Sequence, residues 1–171
     1  VEDDPIPLAG LFAAIEQHIQ QAIPGLAYIG TMPDRIHCVD VPAVVLELVE
    51  FEAADKDPGT GETAVDARFE ARVIIGGEEA GCQHIAAFVA AQLTVLLRMQ
   101  MWGLAVEPAE FVRAAQDWTR PELDGFAVWV VEWTQIIYLG EEEWPWPIQP
   151  PGSLVLAVGP DAERVLPEDL T

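Results

Sequence analysis

Cysteine is scarce in this chain. Cys38 and Cys82 are the only two, too few for a disulfide scaffold and compatible with a reducing cytoplasm. Serine is scarcer still: Ser153 is the sole example, and it stands in a proline-rich stretch. A serine nucleophile needs an oriented histidine at a rigid turn, so that chemistry has no support. Basic side chains are few as well, 8 against 29 acidic ones, for a formal net charge of -21. A field of that sign repels nucleic-acid phosphates, because DNA binding draws on Lys and Arg to neutralise phosphate and release counterions. The charge therefore excludes a protein that grips DNA. It suits either a soluble acidic protein kept from sticking to its neighbours or a surface that must avoid DNA.

Long apolar runs are missing too. No stretch approaches the roughly 20 uninterrupted apolar residues of a bilayer span, and the start, Val1-Glu2-Asp3-Asp4-Pro5, has neither a basic region nor an apolar core of a signal peptide. A chain made and used in water, without a membrane partner, is expected. The first residue being Val, an initiator Met and anything before it would have been removed. The length of 171 residues matches one domain on a scale of about 100 to 200 residues per domain.

Motifs for cofactor or catalytic chemistry are also wanting. There is no Gly-x-Gly-x-x-Gly, no Gly-Lys-Ser/Thr phosphate loop, no Gly-x-Ser-x-Gly and no His-Glu-x-x-His, each of which places a specific group at a strand or helix end. His37-Cys38 and Cys82 with His84 are the only metal-like clustering, and neither pair has zinc-site spacing. Buried cysteine and satisfied histidine account for them. Glu47, Glu50 and Glu52 resemble a magnesium set only superficially; a solvated strand face explains them, and cations for phosphate are lacking. No catalytic residue, cofactor or metal is expected.

What is present is pattern. Leu8, Leu11, Phe12, Ile15, Ile19, Ala22 and Ile23 follow the spacing of one helical face, started near Asp4 and stopped by Pro24-Gly25. Leu26 to Gly30 is short and strand-like. Ala43 to Glu52 reads as strand with Glu47 out of phase with Glu50 and Glu52, which one extra residue near Leu48 and Val49 corrects. Val65 to Ile75 alternates cleanly: Val65, Ala67, Phe69, Ala71, Val73 and Ile75 on one dry face, Asp66, Arg68, Glu70 and Arg72 on a wet one. Between these strands, Ala54 to Thr63 is far longer than the two or so residues of a minimal hairpin turn. It is either slack or an arm that touches something, with Asp55, Lys56 and Asp57 as candidate contacts.

Gly76-Gly77-Glu78-Glu79 turns the chain into a helix, Cys82 to Trp102, apolar nearly all round and so expected to be covered on more than one side, with Gly103 as its C-terminal cap. Phe111 to Gln116 reads as a strand at the sheet edge, with a short helix started at Pro108-Ala109-Glu110 as the alternative. Asp117 to Gly125 is a loop, and Phe126 to Leu139 the most strand-like run, suited to a central position. The compact part is thus residues 1–140, followed at 141–171 by an extended proline-rich C-terminal arm. In Trp144-Pro145-Trp146-Pro147 the tryptophans either strap the arm to its own domain or anchor on a neighbour. The fold expected is α+β, a single mixed or antiparallel sheet with two helices packed on it, a long β-hairpin arm and that C-terminal arm.

Asp117-Trp118, Glu122-Leu123-Asp124-Gly125, Val128-Trp129 and Glu132-Trp133-Thr134-Gln135 together resemble the tail terminator proteins of long-tailed bacteriophages, those of Mu-like phages in particular. The element order from Leu8 to Leu139 is similar to the lambda-type tail terminator fold. The resemblance implies a structural virion protein: a ring, usually a homohexamer, on the last ring of the tail tube protein. It would end tube polymerisation, meet a head-tail connector or neck protein, and let DNA pass without binding it. It also implies a place in the virion neck, with host cytoplasm as the site of assembly. A conduit that does not retain phosphate agrees with the acid excess. Two rival readings are another neck component and an acidic DNA-mimic inhibitor of a host enzyme; an enzyme with an uncommon carboxylate site is a third.

Overall fold

Leu11, Ile15 and Ile19, four residues apart, stand on one side of a helix and are buried, and the sheet they cover is built from the alternating runs downstream. The computed structural model describes residues 8–31 and 40–143. Helix α1 is Leu8–Ala22, strand β1 Tyr28–Thr31, β2 Ala43–Ala53, β3 Thr63–Gly76, helix α2 Cys82–Leu96, β4 Glu110–Gln116 and β5 Phe126–Leu139. One sheet holds all five strands in the order β1-β2-β3-β5-β4. β1 runs parallel to β2 and every other pair is antiparallel. This is the expected α+β architecture of two helices on one mixed sheet, with β5 interior and β4 at an edge.

β3 and β5 pair without interruption from Thr63↔Leu139 to Gly76↔Phe126 and form the spine. The bulge expected in β2 is there: pairing steps from Leu48↔Phe69 to Glu50↔Arg68 and leaves Val49 over. β4 has a second one, between Phe111 and Arg113, which leaves Val112 over.

Under the helices, Phe69 and Trp133 stack with centroids 5.3 Å apart, and Phe12 meets Phe69 edge-on at 6.1 Å. Such aromatic pairs add to the area they bury. Within this apolar layer sits one amide. Gln135 accepts a hydrogen bond from Trp102 Nε1 at 2.8 Å and donates to the Glu107 carbonyl at 2.6 Å and the Gln100 carbonyl at 3.3 Å. It pins the segment after α2 onto the sheet. Gln135→Met, close in volume but without the amide, strands an indole N–H and two carbonyls. The expected loss is about 2 to 3 kcal/mol, measured as a lower urea midpoint with unchanged slope.

Two expectations are corrected. α2 ends at Leu96, not Trp102, and Gly103 is not its cap. Met99, Trp102 and Gly103 all have positive φ, so the chain reverses there and swings the Trp102 indole into the core; a continued helix would carry it away. Burial of that ring and its bond to Gln135 outweigh the cost of left-handed backbone at two non-glycine residues.

The polar face of β3 is not wet along its length. Arg72 is only 5% exposed and Ile74 is buried, because the loop after β4 folds across this face. Its Leu123 joins Ala43, Val45, Ile74 and Val128 in a second small core. As expected, α2 is covered on more than one side, by the sheet and by α1, but among the described residues part of its apolar surface stays outward. Ala86, Ala90 and Leu93 are buried, while Phe88 and Val95 are 73% and 76% exposed.

Candidate interaction surfaces

Cross-strand partners share a face, so the register assigns every side chain of the sheet. Opposite the helices lie Glu47, Glu50 and Glu52 of β2, Asp66, Arg68, Glu70 and Arg72 of β3, Glu132 of β5 and Arg113 of β4. Charges of both signs alternate there and join. Arg72 donates through Nε to Asp117 at 2.8 Å and through its other nitrogens to Glu47 and Glu70. Arg120 reaches Glu47 at 2.8 Å, Arg113 meets Glu132 at 2.5 Å, and Arg68 lies 3.5 Å from Glu50.

At the centre of this lattice, burial alone would raise the pKa of Asp117. Two hydrogen bonds from Thr119, at 2.9 and 2.6 Å, and the Arg72 guanidinium outweigh that, and the carboxyl is held below its ordinary value. Arg72 is desolvated by burial too, yet three carboxylates around it raise its pKa, so it stays charged. A shallow groove of about 740 Å³ opens beside this network, lined among others by Glu47, Glu70, Arg72 and Arg120. Its charges are already spent on one another.

Glu47, Glu50 and Glu52 are therefore not one solvated row. Glu47 is tied to two arginines and Glu50 faces one, while Glu52 is exposed. The signal for Glu47 was its break of phase in β2; its partners are distant in sequence and left no local trace. Among the described residues no group of three or more His, Cys, Asp and Glu has the arrangement of a metal site.

The loop candidates lie between β2 and β3. Lys56 Nζ is 2.6 Å from Glu107 Oε1, and Tyr138 donates to the same oxygen at 2.8 Å. These contacts hold Glu107 below its ordinary pKa, the Lys56 bond contributing most. Asp57 accepts from the Gly59 N–H at 2.8 Å, closing a local turn, and Asp55 is exposed. The structure thus brings Lys56 to its own domain and leaves Asp55 at the surface. Trp144 and Trp146 lie outside the described residues, as do His37, Cys38 and the strand-like run from Ser153 to Val158. Cys82 directs Sγ toward the Gly77 carbonyl at 3.8 Å, and His84 is exposed.

Apolar side chains that face outward form the other candidate surfaces, and sequence reasoning passed over most of them. On α2, Phe88, Ala91 and Val95 with Ala22 of α1 line an open hollow of about 440 Å³. At the sheet's two sides stand two more sets. Val49 and Phe51 lie on the half of β2 beyond Leu46, where β1 no longer pairs with it. Phe111 and Val112 lie on β4, the opposite edge, followed by Trp118, 74% exposed. The available signal was two adjacent apolar residues in an edge strand, which cannot both face one core.

No family model matches this chain, and no curated protein does. Its surfaces must therefore be read from their own chemistry. No helix among the described residues is long and apolar enough to cross a membrane.

Proposed function

We propose that this chain is a subunit of a head-to-tail ring, and specifically a tail terminator that caps the head-proximal end of a bacteriophage tail tube. The observation that carries the ring is the presence of exposed apolar residues on two unlike edges of the sheet. Val49 and Phe51 mark one side of the sheet, Phe111 and Val112 the other, and both sets sit at bulges beside backbone that no described strand covers. β2 and β4 run in opposite directions, since two antiparallel steps through β3 and β5 bring β5 back parallel to β2 and a third reverses β4. A copy shifted sideways then presents β4 antiparallel to the half of β2 that no described strand pairs. Unlike surfaces that join head to tail close into a ring when the rotation allows.

The specific terminator reading rests on the Asp117–Gln135 motif resemblance, the helix and sheet order, and the acid excess that leaves a DNA conduit unretentive. In it the tube protein and a neck protein are the partners, the virion is the location, and no cofactor or catalysis is involved. The DNA-mimic alternative needs free carboxylates in rows. On the charged sheet face Glu47, Glu50, Glu70 and Glu132 are each engaged by an arginine, which counts against it.

Light scattering with negative-stain imaging at moderate and high salt tests the ring. Closed rings are expected, and they strengthen as salt rises, because screening over about 8 to 10 Å relieves repulsion between chains of charge -21. Phe111→Glu with Val112→Glu should return the mass to that of one chain and leave its circular dichroism spectrum unchanged, both sites being exposed in the single chain. A compact monomer at every salt and concentration, or rings indifferent to those substitutions, would sink the edge-pairing reading.

A further inference from the structure

We infer that copies of this chain join in one register, with β4 of one copy laid along residues 48–54 of the next, so that Arg113 stands opposite Glu52 and Phe111 opposite Ala53. This register rests on the edge-to-edge reading above and names the residues that choose the joint.

Strands pair directly where opposite side chains share a face, and the pairings within one chain assign those faces. On β2, Leu48, Phe51 and Ala53 face the helices, Glu47, Glu50 and Glu52 face the charged side, and Val49 is left over. On β4, Phe111, Ala114 and Gln116 face the helices, Glu110, Arg113 and Ala115 face the charged side, and Val112 is left over. With the faces matched, Arg113 can stand opposite Glu47, Glu50 or Glu52. Opposite Glu47, the rest of β4 would run onto Leu46, Val45 and Val44, which β1 already pairs. Opposite Glu50, Gln116 would still meet Leu46, and Glu110 would face Glu52, a like-charge pair that opposes association. Opposite Glu52, Gln116 reaches only Leu48, clear of β1, and Glu110 faces Ala54. Each bulky ring then meets a small side chain, Phe51 against Ala114 and Phe111 against Ala53. The two rings become diagonal neighbours on the helix side, a separation that aromatic side chains span.

The charges agree with this choice. Glu52 is exposed, and none of the ion pairs among the described residues includes it. Arg113 is 61% exposed and holds Glu132 through Nε at 2.9 Å and one terminal nitrogen at 2.5 Å. A guanidinium has five N–H donors, so others are left for a carboxylate of the next copy. Between chains of charge -21, such a cation at the joint offsets repulsion where the copies come closest.

The test measures self-association of single variants by sedimentation. Glu52→Arg sets two cations opposite each other and should raise the concentration for half-association at least about tenfold. Glu79→Arg, at an exposed site in the turn after β3, makes the same change of charge and should leave association equal or stronger, since it only lowers the repulsion between acidic chains. Equal behaviour of the two variants would remove the charge pair from the joint. Disulfide formation reads the register in a Cys38→Ala, Cys82→Ala background, where Phe111→Cys chains are mixed with Ala53→Cys or with Phe51→Cys chains. Opposite Cβ atoms lie about 4.5 to 5.5 Å apart and diagonal ones about 7 to 8 Å. The pair at 53 and 111 should therefore cross-link at least about tenfold faster than the pair at 51 and 111. The reverse order, or cross-links between identical chains, overturns this register while leaving a ring standing; monomers that never cross-link overturn it together with the ring.

Discussion

Replacing Arg72 by methionine is expected to cost about 3 to 5 kcal/mol, the range for breaking a buried ion pair by removing one partner. The side chain is 7% exposed and Asp117 only 4%, with Glu70 and Glu47 at 16% and 22%. Methionine fills much of the volume but leaves three carboxylates facing one another without their cation, Asp117 the most deeply buried of them. Arg120 neutralises part of Glu47, and nothing comparable serves Asp117. Since the loop carrying Asp117 also brings Leu123 over the second core, loss of the ion pair loosens that core as well. A chemical-denaturation midpoint reads the effect, and Glu70→Gln in the Arg72→Met background should return part of the loss by removing one of the stranded charges.

The same network fixes a pH dependence. Asp117 is the group whose folded pKa lies below its ordinary value, so its contribution is present above the unfolded carboxylate pKa, about 3.9, and is lost as pH falls through the lower folded value. In Arg72→Met the guanidinium is gone while burial persists, and the Asp117 pKa rises toward or above the unfolded one. Acid then relieves the variant where it harms the parent. The gap in stability between the two should narrow steadily below about pH 4; a gap that stays constant would show that Arg72 acts through packing alone.

How far the fold could be read in advance follows from the range of each signal. The α1 stripe of Leu11, Ile15 and Ile19 and the alternation of β3 are local periodicities, and both elements formed where the pattern put them, within two residues. The bulge at Val49 was legible because Glu47 breaks phase with Glu50 and Glu52. Arg72 was not, because alternation says which side chains share a face and is silent on whether a loop from position 117 will cover it. Trp102 misled for a related reason. Helix propensity runs on through it, and only the Gln135 amide, 33 residues away, shows why the chain turns back. The loop candidates were placed correctly between β2 and β3, yet Glu107, which takes Lys56, has no mark in sequence. The outward residues Phe88, Val95 and Phe111 were hidden by their own hydrophobicity, which in a sequence reads as core.

Gly77→Ala should do as much damage as any single substitution that touches no charge. Gly77 stands in the turn from β3 into α2, and a Cβ built there lies 1.8 Å from the Gly125 carbonyl oxygen and 2.9 Å from its carbon. Both atoms are backbone, so no rotamer change relieves the contact. Gly125 itself has φ near 89° and immediately precedes β5, whose Phe126 pairs with Gly76. The methyl group therefore separates two chain segments at the end of the spine that every other strand depends on. Overpacking costs about 1 to 3 kcal/mol where side chains can adjust, and with backbone on both sides the expected loss is about 3 kcal/mol or more. Gly25→Ala is the matched control, since a Cβ there meets nothing within 4 Å. If the two variants unfold at the same denaturant concentration, the close approach of the two turns is not what joins α2 to the sheet, and the burial of Ala86, Ala90 and Leu93 must hold that helix unaided.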